Sequence, residues 1–326
     1  MIGERAILYR VLAPLFPSWA RLGHPIFTWE LERRRRSQGR ILPRLIGGGF
    51  SALMVSLIVA LIDIHGQGRP LAPNVLTPFW ITLIVPHVLL RVAAAFSTAG
   101  AVNREVEAGT WDSLRATAMP MRDVLGAKWA AGLWSMGLVV AWATILRGVL
   151  AALLLSDLAQ FRGQYLMFLV DSSHPPIPWV AGVLAVAAGM TCGVMQPAVS
   201  AGLDAATGLL ASAWITNRGL AQVLAAAVRL GMWLGVVALT WPVVMSLGWS
   251  PVTALGPWLL LALFAVEGDM ALGLLMIDWQ AQLYGDVDWG FAIGPAALAL
   301  LLAQAWLTTL LLRLAAWRAA KMGDRG

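Results

Sequence analysis

The residues able to do chemistry are few and widely spaced. Four histidines, His24, His65, His87 and His174, share no HExxH or other paired-ligand spacing. The single cysteine, Cys192, sits in an apolar run and can form neither an internal disulfide nor a Cys-rich metal site. No metal and no resident cofactor is expected. There is no GxSxG, no paired aspartate and no Gly-x4-Gly-Lys-Ser/Thr phosphate loop, so the chain supplies no ATP site of that kind itself. What remains is a set of ionisable groups placed among apolar residues: His87, Arg91, Arg147, Glu267 and Asp269.

His87 and Arg91 lie one helical turn apart on one face, with Pro86 freeing a backbone carbonyl nearby. They are candidates to line a translocation path or to meet an anionic headgroup. The competing reading is an arginine satisfied by neighbouring carbonyls or snorkelling to the interface. Arg147 follows Lys128 at a distance of about 28 Å along a helix and is expected to be an anchor near the outer interface. Glu267 and Asp269 are expected to be solvated tips of an external hairpin, with cation or substrate binding as the alternative.

The elements that must position these groups are set by composition. Of 326 residues, 59% are hydrophobic and only 12% charged, with a mean hydropathy of +0.75. Soluble domains carry about 25% charged residues. Such a chain cannot cover itself with a polar surface in water and requires lipid as part of its solvent. A spanning helix needs about 20 apolar residues, and six stretches free of Asp, Glu, Lys and Arg qualify: 45–62, 70–90, 129–146, 172–203, 230–266 and 289–312. The fourth is approached through Pro175, Pro176 and Pro178 and interrupted by Pro197, so a kink with an interfacial outer part is expected. The fifth contains the turn signal Gly248-Trp249-Ser250-Pro251. The apolar stretch from Ala6 to Trp19 is broken by Arg10, Pro14 and Pro17 and is not expected to be a cleaved signal.

Charge then orients the spans. Of 23 Lys and Arg residues, all but Arg69, Arg91, Arg147 and Arg162 lie before the first span, in the 104–128 loop, at Arg218 and Arg229 flanking the fifth span, or after the last span. The positive-inside rule places all of those regions, with both termini, in the cytoplasm of a multi-pass protein of the plasma or inner membrane. The net charge of +6 is read as contact with anionic membrane lipids, and no aromatic-basic module points to nucleic acid. The segment 248–289 has five acids and no Lys or Arg, and belongs outside. Because both flanks of 229–313 are cytoplasmic, its crossings must be even. The apolar piece 254–277, broken by Glu267-Gly268-Asp269, is therefore expected to be a re-entrant or outer-leaflet hairpin, giving six spans rather than seven. Trp80, Trp129, Trp179, Trp249, Trp289 and Trp317 stand near expected span ends as an interfacial belt. Residues 1–44 form an N-terminal segment, 45–318 the transmembrane domain and 319–326 a tail. Within the first, Pro25 opens a helix whose apolar residues and following four arginines suit the headgroup level.

The most informative stretch is the loop 103–128, NREVEAGTWDSLRATAMPMRDVLGAK. Gly109 stops the second span's continuation. Thr110 is placed to cap a new helix, with Asp112 near its positive end. Trp111 and Leu114 form a small apolar face, and Pro120 breaks the chain before the helix that leads through Lys128. A short helix of this kind suits docking into a groove on a soluble partner; an ordinary connecting loop is the plainer alternative.

The order Glu105, Gly109-Thr110, Leu114, Pro120, Gly126 and Lys128 resembles the loop of type-2 ABC (ATP-binding cassette) exporter permeases. The segment around Pro25–Glu30 is similar to that family's N-terminal elbow helix, and 212–218 resembles its link between the fourth and fifth spans. Arg115, the residues before Pro120 and the spacing of Gly126 from Lys128 depart from the family pattern. The resemblance implies an all-α polytopic membrane protein with six transmembrane helices, an interfacial elbow helix, a cytoplasmic coupling helix and an external re-entrant hairpin. It implies a non-enzymatic permease subunit, paired with itself or a second permease, docked on ATPase subunits through Glu105, Gly109, Thr110, Trp111, Leu114, Pro120 and Lys128. Leu114→Asp is then expected to uncouple the partner's ATP hydrolysis from transport. A membrane anchor for another cytoplasmic complex and a membrane-embedded enzyme are the alternatives. Three Gly-x3-Gly pairs, 189/193, 231/235 and 290/294, fit either dimerisation or internal packing.

Overall fold

A computed structural model describes residues 24–37, 51, 55–60, 62–63, 73–159, 163–246 and 255–323. The expectations for 6–19, for the turn at 248–251 and for most of the first candidate span, 45–62, lie outside the described residues, as do Arg69 and Arg162. Among the described residues all regular structure is helical. The helices are α1 (Pro25–Ser37), α2 (Pro73–Thr98), α3 (Asn103–Glu107), α4 (Trp111–Arg115), α5 (Met121–Ser135), α6 (Gly137–Ala159), α7 (Gln164–Asp171), α8 (Trp179–Trp214), α9 (Arg218–Ser246), α10 (Leu255–Glu267), α11 (Ile277–Asp286) and α12 (Ile293–Ala320). Four of these regions are long and apolar enough to cross a membrane: Gly137–Ala159, Trp179–Trp214, Arg218–Val244 and Gly290–Ala320.

α8 is the axis of the bundle. Its 36 residues extend about 54 Å, well beyond the roughly 30 Å of a hydrocarbon core. Small residues let its neighbours reach its backbone. A Cβ on Gly208 would stand 2.0 Å from the Ala95 carbonyl oxygen of α2, and one on Gly294 of α12 would stand 2.5 Å from the Ala185 oxygen of α8. A Cβ on Gly193 would stand 2.9 Å from the Ala271 carbonyl oxygen of the 3-10 turn Met270–Leu275, while Gly189 lies in ordinary contact with Gly294 of α12. Two of the three Gly-x3-Gly pairs therefore serve internal packing, whereas Gly231 and Gly235 face open space.

Charge-free stretches mislocate several helix ends. The fourth apolar stretch is not a helix from Ser172 to Leu203: the helix starts at Trp179, behind Pro178, and runs unbroken through Asp204 to Trp214. An acid ends a span only where nothing neutralises it, and Asp204 meets two arginines. The third stretch is two helices that break at Met136, the second continuing to Ala159. α9 starts at Arg218, which puts Arg229 eleven residues inside the helix instead of at its flank. The break at Glu267-Gly268-Asp269 is present, with Asp269 in the left-handed region at φ +66.

Candidate functional site

Of the loop residues singled out by their order, Glu105, Thr110 and Lys128 meet in one ionic cluster, with Glu105 and Lys128 buried and Thr110 at its exposed edge. α3 ends where Gly109 takes φ +67, a conformation that glycine adopts without strain. The turn brings Thr110 back over Glu105. Thr110 Oγ1 donates to Glu105 Oε2 at 2.6 Å and the Thr110 amide donates to the Glu105 carbonyl at 3.0 Å. The expected side-chain cap is therefore absent. Thr110 holds the N-cap position of α4, but its hydroxyl is committed to Glu105. The other oxygen of Glu105 accepts Lys128 Nζ at 2.7 Å and Arg33 Nη1 at 2.8 Å. Lys128 also donates to Glu30 Oε2 at 3.3 Å, and Glu30 Oε1 accepts from Arg34 and Arg104, each at 3.1 Å. Pro120, in an extended conformation, starts α5 at the register that turns Lys128 inward.

Glu30, Glu105 and Lys128 are all at or below 1% exposed, so this is a desolvated clamp tying α1, the α3–α4 loop and α5 together. Burial alone would raise the Glu30 carboxyl, but Lys128, Arg34 and Arg104 overcome it and hold the pKa at about 2. Trp29 covers the clamp with its ring 5.4 Å from Lys128 Nζ and 5.0 Å from the Arg33 guanidinium.

The Trp111–Leu114 face points inward. Trp111 is 5% exposed and packs with Val102, Leu125, Leu209, Ala213 and Ala315, and Leu114 lies partly buried beside it. The outward face of α4 consists of Asp112, Ser113 and Ala116, followed by Thr117 and Ala118. Leu114→Asp therefore disturbs the packing of the loop and does not isolate a docking contact. Further bonds seat the loop on the end of α8: Ser212 Oγ accepts the Val102 amide at 2.9 Å, and Asn103 Nδ2 donates to the Ile215 carbonyl at 2.9 Å.

A second polar cluster lies inside the bundle. Gln196, Ser200 and Asp204 form a stripe of spacing four along α8, opposite His87 and Arg91 on α2. His87 Nε2 meets Ser200 Oγ at 3.1 Å and Arg91 Nε donates to Asp204 at 2.9 Å. Both acids at the end of α10 enter this cluster. Glu267 pairs with Arg91 at 2.9 Å, and also with Arg229 and Gln304. Asp269 pairs with Arg147 at 2.7 Å and with His87, while Arg229 lies 3.1 Å from Asp204. Gln196 donates to the Val266 carbonyl at 2.8 Å. Glu267 is 6% exposed and Asp269 fully buried, so neither is a solvated tip, and Arg147, 3% exposed, is not an interfacial anchor. The acids turn inward because α10 ends there and three arginines from separate helices neutralise them. Arg91 is satisfied by carboxylates rather than by backbone carbonyls alone.

Sequence reasoning missed Asp204, Arg229, Gln196 and Gln304, although the polar stripe at spacing four on α8 was a legible signal. Among the described residues no group of three His, Cys, Asp or Glu side chains is arranged to hold a metal. No family model, curated protein or solved structure matches the chain. Composition, and a fold that is all helical among the described residues with four helices there long and apolar enough to cross a bilayer, define a helical membrane protein.

Proposed function

We propose that the chain is the membrane-spanning permease subunit of a type-2 ABC transporter, working as an exporter, and that a separate ATPase subunit docks on α4. The observation that carries this reading is the clamp. Glu105, Thr110 and Lys128, spaced along the loop in the order of that family's motif, meet Glu30 of α1 in one buried ionic cluster. Force applied to the exposed face of α4 would pass through this cluster into α5 and α1, because its buried core of Glu30, Glu105 and Lys128 is hydrogen-bonded throughout and does not yield locally. In this reading α1 is the elbow helix, the loop is cytoplasmic, both termini are cytoplasmic and the protein resides in the cell membrane.

The helix directions favour six spans. His87–Ser200, Arg91–Asp204 and Ala95–Gly208 are contacts that advance together, so α2 and α8 run in the same direction, as second and fourth spans must. α9 runs against α2, since Gly100 meets Arg218 while Arg91 and Arg229 share Glu267. The segment from α10 to α11 is then a re-entrant hairpin from the opposite side, its tip at the buried acids. Gly231 and Gly235 leave a bare strip on the outside of α9 where a second permease, of the same or another chain, can approach.

The test is copurification of the detergent-solubilised protein with its cellular partners, combined with Ala116→Glu on the outer face of α4. An ATPase bearing a phosphate-binding loop should copurify, and Ala116→Glu should abolish its retention without lowering the thermal stability of the permease. A partner without such a loop would support the anchor reading instead, and unchanged retention in the variant would remove α4 as the docking element.

A further inference from the structure

We infer that α7 is a membrane-surface helix, lying in the headgroup layer on the side opposite the loop with Met167 and Phe168 inserted among the acyl chains. Its height follows from the spans on either side of it. Trp129 of α5 donates to the Gly202 carbonyl at 2.8 Å and Arg147 of α6 to the Gly193 carbonyl at 3.1 Å, so the chain climbs α8 away from the loop as it passes from α5 into α6. α6 and α8 are both long and apolar enough to cross a membrane. α7 follows the end of α6 at Ala159 and precedes the start of α8 at Trp179, so it stands where both spans emerge.

A second measure gives the same height. The side chain of Val170 takes the space that a Cβ on Gly182 of α8 would need. Gly182 lies thirty residues along α8 from Ser212, which holds the loop through the Val102 amide. Thirty residues of helix measure about 45 Å, and a bilayer with both headgroup layers about 40–45 Å.

The two faces of α7 differ. Leu169 is buried in the main core with Leu166 packed against it, and Val170 is buried against α8. The opposite row, at i, i+3, i+4 and i+7, is Gln164, Met167, Phe168 and Asp171, all of them exposed. Phe168 is 72% exposed and Met167 53%, with Tyr165 beside the row. An apolar pair between two polar ends suits a helix lying flat whose middle dips into the acyl boundary, and a tyrosine suits that depth. The row carries no Lys or Arg, so apolar burial and not charge holds it there.

The same height is apolar elsewhere around the bundle, which commits the occupant to lipid. Val180 and Leu184 lie on the side of α8 opposite Gly182, away from α7, and are 62% and 64% exposed. One protein partner would cover one side. Exposed apolar groups on opposed sides at one level fit a lipid layer that surrounds the bundle. The inference rests on the chain's spanning a membrane and not on an ATPase partner, so it stands or falls separately from the permease reading.

The experiment is spin labelling of Phe168→Cys and Met167→Cys, each in the full chain in dioleoylphosphatidylcholine nanodiscs. It reads collision of the nitroxide with molecular oxygen, which concentrates among acyl chains, and with nickel ethylenediaminediacetate, which stays in water. Native Cys192 is fully buried, and the wild type serves as the labelling blank. Leu302→Cys, on the exposed face of α12, gives the hydrocarbon reference, and Asp112→Cys, on the exposed face of α4, the aqueous one. The oxygen-to-nickel ratio at 167 and 168 should exceed that at 112 by at least about tenfold, the exclusion expected of a polar complex from an apolar layer. A ratio at either position equal to that at 112 would overturn the proposal. So would shielding of 168 from both reagents, which would mean that a second copy or another protein covers this face.

Discussion

Replacing Lys128 by methionine tests whether the clamp is one cooperative unit. The substitution keeps the aliphatic stem and removes only the ammonium, which donates to Glu105 at 2.7 Å and Glu30 at 3.3 Å with the side chain wholly buried. Removing one partner of a buried ion pair costs about 3–5 kcal/mol. Neither carboxylate is stranded here, because Glu105 keeps Arg33 and Thr110 and Glu30 keeps Arg34 and Arg104, so the cost belongs at the lower end. The Glu30 carboxyl provides an independent gauge. Its pKa of about 2 against an ordinary 4.5 corresponds to a net roughly 3 kcal/mol that remains after Lys128, Arg34 and Arg104 have together overcome the burial penalty. We therefore expect Lys128→Met to destabilise the protein by about 2–3 kcal/mol, a fall in Tm of roughly 5–10 °C in detergent melts. Glu105→Gln should cost a comparable amount, and the double variant should cost at least about 1 kcal/mol less than the two single effects together. Strict additivity, or a Tm for Lys128→Met equal to that of the wild type, would refute the clamp as a coupled unit.

Three further outcomes follow from the same contacts. A carboxyl held below its ordinary value contributes stability above the unfolded pKa and loses it on acidification. The wild type should therefore lose about 3 kcal/mol relative to Glu30→Gln between pH 4.5 and 2, with no divergence above about pH 5, measured by melts across pH; parallel curves would contradict it. Inside the bundle, Arg147→Met should cost about 3–5 kcal/mol by leaving Asp269 short of its neutralising charge, and adding Asp269→Asn should recover part of that loss in a thermal melt. Gly208→Ala should destabilise by at least about 2 kcal/mol through its clash with the Ala95 carbonyl, whereas Gly231→Ala, facing open space, should be neutral or stabilising by up to about 1 kcal/mol in the monomer.

The sequence alone determined that this is a helical membrane protein, since a chain only 12% charged cannot dissolve its own surface. It determined the local breaks as well. Gly109, Pro120 and the Glu267–Asp269 interruption act through backbone conformation within a few residues, and the structure places breaks at each. The loop motif was readable as an order of residues, but its physical meaning was not: that Glu105, Thr110 and Lys128 touch, and touch Glu30, depends on how α1 and α5 pack. Tertiary structure alone decided the fate of the membrane-embedded charges. A carboxylate read in isolation belongs in water, which sent Glu267 and Asp269 outward and ended a span at Asp204. The same groups are admissible deep in the bundle once Arg91, Arg147 and Arg229 arrive from three other helices, and pairing between helices, across more than a hundred residues of chain for Arg91 and Arg147, leaves no local trace beyond a polar stripe every fourth position.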